Sequence, residues 1–270
     1  MATSRIRYIS VVANDPVQLA EWYAGLFGTT VLGQSAAGDI SITDGSYNMT
    51  FFKRRTDDKE LSQPGLHHIG LEVDSVAALE RDLAAWSSEA RLEQEPRDVH
   101  HGQARLADPN GYQVSVSETS FGVPQEARRI PGIRHVAWAI PKTNDVIDFY
   151  SRVFGLRELP TSFKRRQANL GNRFGGDGFT NLALHPHPPE PGREAGRHQR
   201  VGLNHFGFLV PDCEAVLDAL DINPKDSERP ANRPYAEYRI FDPEGNAVDI
   251  SQFKGWEVDT GKWERATEPA

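Results

Sequence analysis

Apolar residues recur along this chain with two alternating periods, one of strands and one of helices, and the alternation divides it into units. Residues 6–12 read as a strand. The turn Asn14-Asp15 supplies a helix N-cap, with Pro16 at the first helical position, where its missing N–H costs nothing. Leu19, Trp22, Tyr23, Leu26 and Phe27 follow at helical spacing, and Gly28 stands at the C-cap position. Residues 39–43 and 47–53 then read as strands around a turn at Gly45, with room for one more strand between Thr29 and Gln34.

The same order opens again at residues 65–73. Asp74-Ser75 caps a helix with the apolar stripe Val76, Leu79, Leu83 and Trp86. A hairpin over 104–107 and 113–116 follows, turned by Asp108-Pro109-Asn110-Gly111-Tyr112. After a stretch rich in Pro, Gly and charge at 119–132, the pattern restarts with a strand at 133–140, a helix at 145–155 and a strand at 181–184. The last unit has a strand at 204–210 and a hairpin over 238–241 and 247–250, turned by Asp242-Pro243-Glu244-Gly245-Asn246. Tyr8 and Gly28 precede His135 and Gly155 by the same 127 residues, and Asp108 and Ser115 precede Asp242 and Asp249 by the same 134. The chain is four copies of one module, arranged as two pairs. The expected domains are 1–118 and 133–253, joined by the linker 119–132 and followed by a tail, 254–270.

Composition narrows the function classes. The chain has 270 residues, of which 38% are hydrophobic, enough for packed cores. No apolar run reaches the roughly 20 residues of a membrane span, and the N-terminus lacks a basic stretch followed by an apolar block, so no membrane association and a cytoplasmic location are expected. Cys213 is the single cysteine, which excludes an internal disulfide and a zinc-thiolate cage. A net charge of −8 argues against nucleic acid as a partner. Any metal must be held by nitrogen and oxygen.

The repeated modules, their module-opening strand histidines and the two Asp-Pro-x-Gly-x hairpins resemble the vicinal oxygen chelate superfamily. That family contains glyoxalase I, bleomycin-resistance proteins and the two-domain extradiol dioxygenases. The resemblance implies an α+β fold of four tandem βαβββ modules, paired into two domains, each an incomplete mixed β-barrel with its helices outside. It also implies a metal held by ligands from the first and last strands of modules. In the second pair those positions hold His135, His205 and Asp249; in the first they hold Tyr8, His68 and Ser115. Chemistry therefore belongs to the C-terminal half, as in the two-domain extradiol dioxygenases. A lone strand histidine is ordinarily a hydrogen-bonded core residue, and that reading is taken for His68.

Two histidines and one carboxylate on one face suit Fe(II) binding both a substrate and O₂, and they also suit Mn(II) or another divalent ion. Asp249 stands where the family usually has glutamate, and the shorter arm draws the ion toward its strand. Around it, the hairpin register sets Arg239 opposite Asp249, where the extradiol family has a tyrosine; Tyr238 or Tyr235 takes that role only through a register change. Asn181 stands where those enzymes carry a further histidine, and His185 lies four residues on, on the same face. An arginine beside the metal favours a substrate with a carboxylate or phosphate. The expected function is an extradiol-type dioxygenase acting on a small aromatic or enolic molecule. The alternatives are a non-redox isomerase, epimerase or lyase of the same fold, and a metal-free resistance-type binding protein. The proline-rich stretch 185–199 is expected to form a loop near the site or in solvent. The tail should pack Trp256 or Trp263 on the body or on a second subunit, which admits a homo-oligomer.

Overall fold

The computed structural model describes residues 4–95, 102–123, 129–159, 171–187, 201–230, 236–253 and 256. The middle of the linker, most of the proline-rich loop, Tyr235 and the tail apart from Trp256 lie outside the described residues.

The first module comprises β1 (Ser4–Ala13), α1 (Pro16–Phe27), β2 (Thr30–Gln34), β3 (Ile40–Thr43) and β4 (Asn48–Lys53). The second comprises β5 (Gly65–Val73), α2 (Val76–Trp86), β6 (Glu93–Gln94), β7 (Ala104–Ala107) and β8 (Gln113–Ser117). The third has β9 (Gly132–Ile140), α3 (Thr143–Phe154), β10 (Arg157–Glu158), β11 (Arg173–Gly176) and β12 (Asn181–Pro186). The fourth has β13 (Gly202–Leu209), α4 (Cys213–Ala219), α5 (Pro224–Ser227), β14 (Tyr238–Phe241) and β15 (Ala247–Ser251). Among the described residues the fourth module has one strand fewer. A single bridge between Glu228 and Tyr238 stands where β6 pairs with β7.

The modules join in pairs. One sheet runs β2-β3-β4-β1-β5-β8-β7-β6 and the other β10-β11-β12-β9-β13-β15-β14, so neither closes on itself. The opening strands of paired modules meet antiparallel, β1 with β5 and β9 with β13. The closing strand of each module returns parallel to its own opening strand. The fold is α+β, as the resemblance implied.

Local chemistry sets these elements. The Asp15 side chain accepts from the N–H groups of Val17 and Gln18, both at 3.1 Å, so the first turn of α1 is capped. In the last hairpin Asp242 accepts from the N–H of Glu244 at 3.0 Å and of Asn246 at 2.9 Å, and Gly245 takes a φ of 81°. That turn fixes the pairing of β14 with β15, and hence which of their side chains meet.

The two halves pack on each other through reciprocal contacts. Phe27 of α1 lies parallel to Phe208 of β13, ring centres 4.0 Å apart, and Trp86 of α2 meets Phe149 of α3 edge to face. The carboxylate of Asp44 accepts from the N–H of Ile133 at the start of β9, and that of Asp177 accepts from the N–H of Ile6 at the start of β1, both at 2.7 Å. Each half thus anchors the opening strand of the other.

Candidate metal centre

Five register neighbours form one row across the second sheet: Asn181, His135, Gly207, Asp249 and Arg239, on β12, β9, β13, β15 and β14. Direct neighbours point to the same face of a sheet. His205 lies two residues before Gly207 and joins that face. The result is a buried cluster in which one ligand atom each from His135, His205 and Asp249 lies within 4.8 Å of the others. Exposure is 3%, 4% and 3% respectively, so the three groups have left bulk water.

The hydrogen bonds decide the state of the rings. Nδ1 of His135 meets Oδ1 of Asn181 at 2.9 Å, and Nδ1 of His205 meets Oδ1 of Asn204 at 2.9 Å. An amide oxygen can only accept, so each Nδ1 carries the proton and each Nε2 presents a lone pair. The two Nε2 atoms are 3.3 Å apart, and His205 Nε2 is 3.5 Å from Oδ2 of Asp249. Burial lowers the His135 pKa to about 4 and that of His205 well below the ordinary value, so both rings are neutral at pH 7. For Asp249, burial acts to raise the pKa, but the charges of Arg239 and Arg229 and the Arg239 hydrogen bond outweigh it, and the carboxyl is held below its ordinary value. Two lone pairs and a carboxylate facing one another repel unless a cation lies between them. The donor set fits a divalent ion, and the amide partners on Nδ1 are of the kind that orient ligating imidazoles.

A profile of the Glyoxalase/Bleomycin resistance protein/Dioxygenase superfamily matches residues 5–116 and 132–250. The chain belongs to this superfamily. None of the curated protein sequences matches. Among solved structures, the chain is similar to the Mn(II)-bound glyoxalase from Novosphingobium aromaticivorans, with 18% identity, a TM-score of 0.69 and coverage of 97% of this chain and 86% of that one. It is also similar to the 2,3-dioxygenase LapB from Pseudomonas sp. KL28, at 14% identity and TM-score 0.65, over 94% and 92% of the two chains. A third is 2,2',3-trihydroxybiphenyl 1,2-dioxygenase from Sphingomonas wittichii strain RW1, at 14% identity and TM-score 0.63, over 97% and 94%. At these identities the likeness shows the superfamily fold.

The other residues singled out in the sequence divide in two. Asn181 is in the cluster as the partner of His135. His185 is close by, its ring parallel to that of His205 with centres 5.8 Å apart, and its Nδ1 meets Oδ1 of Asn172 at 3.3 Å. Arg239 makes a two-pronged pair with Asp249, Nε to Oδ1 at 2.5 Å and Nη2 to Oδ2 at 3.0 Å. Tyr238 is not brought in. Arg239 pairs with Asp249 and Tyr238 with Ile250, with no register change, so strand alternation sends Tyr238 to the opposite face, where it packs against the hydrophobic core.

Three further residues around the cluster were not assigned to it from sequence, although Trp256 was expected to pack on the body. Asn204 precedes His205 directly and orients it. Arg229 reaches Oδ2 of Asp249 at 3.9 Å from outside any strand. Trp256 lies parallel to His135, ring centres 5.0 Å apart, and is 6% exposed. Its ring rests directly on Gly207, where a Cβ would come within 2.4 Å of it. The signal for that cap was a glycine in a strand otherwise of bulky residues.

Proposed function

We propose that this protein is a divalent-metal enzyme of extradiol type, cleaving or oxygenating a small aromatic or enolic molecule that carries two neighbouring oxygens. The observation that carries the reading is the convergence of two lone-pair Nε2 atoms and one buried carboxylate. His135, His205 and Asp249 would hold the ion, with Fe(II) the first choice and Mn(II) next. Such an ion, with two histidines and a carboxylate as protein ligands, supplies open coordination positions where a chelating substrate and O₂ can meet.

The remaining roles belong to this chain's own side chains. Asn181 and Asn204 hold the two imidazoles in the ligating tautomer. His185, oriented by Asn172 through Nδ1, offers Nε2 to take a proton from a substrate hydroxyl. Trp256 covers His135 and excludes water from that side of the cluster.

One observation favours a second reading: the row carries Arg239 where the extradiol resemblance calls for tyrosine. A Lewis-acid lyase or isomerase, in which the ion polarises a carbonyl, needs no such tyrosine. Metal analysis and oxygen uptake separate these readings. Protein purified without added metal, then loaded anaerobically with Fe(II), should bind one equivalent and consume O₂ with at least one of a panel of catechols. Bound metal without oxygen uptake on any catechol would move the assignment to the Lewis-acid reading. Failure to retain more than about a tenth of an equivalent of any divalent ion would leave a metal-free binding protein.

A further inference from the structure

The two arginines at one register supply an internal control for what lies beside the cluster. Arg105 pairs across its hairpin with Ser115, as Arg239 does with Asp249. In the first half the protein itself supplies anions to Arg105: Nη1 donates to Oε1 of Glu60 at 3.0 Å, and Nε lies 3.6 Å from Glu93. In the second half the guanidinium is used differently. Nε and Nη2, its side edge, are taken by Asp249, and among the described residues that carboxylate is the only polar partner of the guanidinium. Arginine has a second two-pronged edge, formed by Nη1 and Nη2, and the Arg239 side chain as a whole is 17% exposed. With an ion on Asp249, one carboxylate charge faces both that ion and Arg239, and Arg229 stands beside them.

We propose that the outer edge of Arg239 is a carboxylate subsite of the metal centre, so that the substrate carries a carboxylate in addition to its chelating pair of oxygens. This rests on the reading of the cluster as a divalent-metal centre. The planar fork of the guanidinium matches a planar carboxylate with two parallel hydrogen bonds. Asp249 holds the arginine by its other edge, so its orientation is set before a ligand arrives and little rotamer freedom is lost on binding. The ligand takes the place that Glu60 fills at Arg105.

The test is a set of binding titrations on Mn(II)-loaded protein, without turnover, using catechol, 2,3-dihydroxybenzoate and 3,4-dihydroxybenzoate. Wild type should bind at least one of the two acids roughly 10- to 100-fold more tightly than catechol, the range of a charge-assisted pair. Arg239→Lys keeps a cation for Asp249 but has no second edge, and should reduce that preference to under about 3-fold while Mn(II) binding persists. Equal binding of catechol and both acids by wild type would overturn the subsite, as would a preference that survives in Arg239→Lys. A parallel titration of metal-free wild type and Arg239→Lys with benzoate and benzamide reads the subsite without the ion. Loss of Mn(II) binding by wild type sinks the metal reading alone, whereas equal affinity for benzoate and benzamide in metal-free wild type sinks the subsite.

Discussion

The two halves of this molecule run the same row of residues across the same five strand positions and end in opposite chemistry. In the second half the row is Asn181, His135, Gly207, Asp249 and Arg239; in the first it is Asn48, Tyr8, Gly70, Ser115 and Arg105. Both central glycines carry an aromatic ring from the segment after the last strand, Trp256 on Gly207 and Phe121 on Gly70. The ring then stacks on the first-strand residue, Trp256 on His135 and Phe121 on Tyr8. What differs is where the polar atoms go. His68 has both nitrogens engaged by hydroxyls, Nδ1 with Ser10 at 2.7 Å and Nε2 with Ser115 at 3.0 Å. The network runs on from there, to His67 through Nδ1 at 2.7 Å and from Ser115 to Glu95 at 2.8 Å. In the second half His135 and His205 meet amide oxygens through Nδ1, while their Nε2 atoms lie 3.3 Å apart and that of His205 is 3.5 Å from Asp249. The two halves thus differ less in having histidines on the inner face of the sheet than in what the second nitrogens of those histidines are given.

The sharpest way to break this comparison is to remove one histidine from each half. His205→Ala should abolish binding of a divalent ion, and His68→Ala should leave one equivalent bound. Calorimetric titration with Mn(II) decides it, and equal loss in both variants would place the centre in the wrong half. The next largest effect concerns the aromatic caps. Phe121 is fully buried between Tyr8 and Gly70, with its own backbone held at a φ of 53°. Phe121→Ala should cost about 3 kcal/mol in urea unfolding, from lost burial and the cavity left behind, and should not change metal affinity. A shift in Mn(II) affinity would mean that the two halves are coupled.

The smallest effect is one of pH, and it sharpens the contrast in ring state. In metal-free protein the folded state holds His135 at a pKa of about 4, against about 6.5 for an unfolded histidine. The unfolded chain therefore binds the extra proton first as pH falls. Stability from the neutral ring is complete above about pH 6.5 and is lost toward pH 4, by roughly 2–3 kcal/mol. Urea midpoints at pH 7.5 and 4.5 should show this fall, and His135→Gln should lose part of it; an unchanged slope in the variant would contradict the neutral, buried ring.

Much of the fold was legible because each module announces itself by the same markers, so that offsets of 127 and 134 residues matched strand to strand. The short strand β2 fell in the gap left for it, and the hairpin turn at Asp242 set Arg239 opposite Asp249 as its length required. What the pattern did not carry depends on contacts between distant segments. Arg229 reaches Asp249 from a stretch without periodicity, and the docking of Trp256 on Gly207 joins residues 49 positions apart. Tyr238 suited the role by its chemistry only if the register shifted; the register holds, and a strand that offers Arg239 to the inner face offers Tyr238 to the other.

The reciprocal anchors of Asp44 on Ile133 and Asp177 on Ile6 are the same contact made twice about an axis, as in the isologous interface of a symmetric dimer. One polypeptide therefore behaves as a dimer with a tether. The half with Tyr8, His68 and Ser115 thus serves the other half without a ligand set of its own, because the strand that carries His135 begins on its carboxylate.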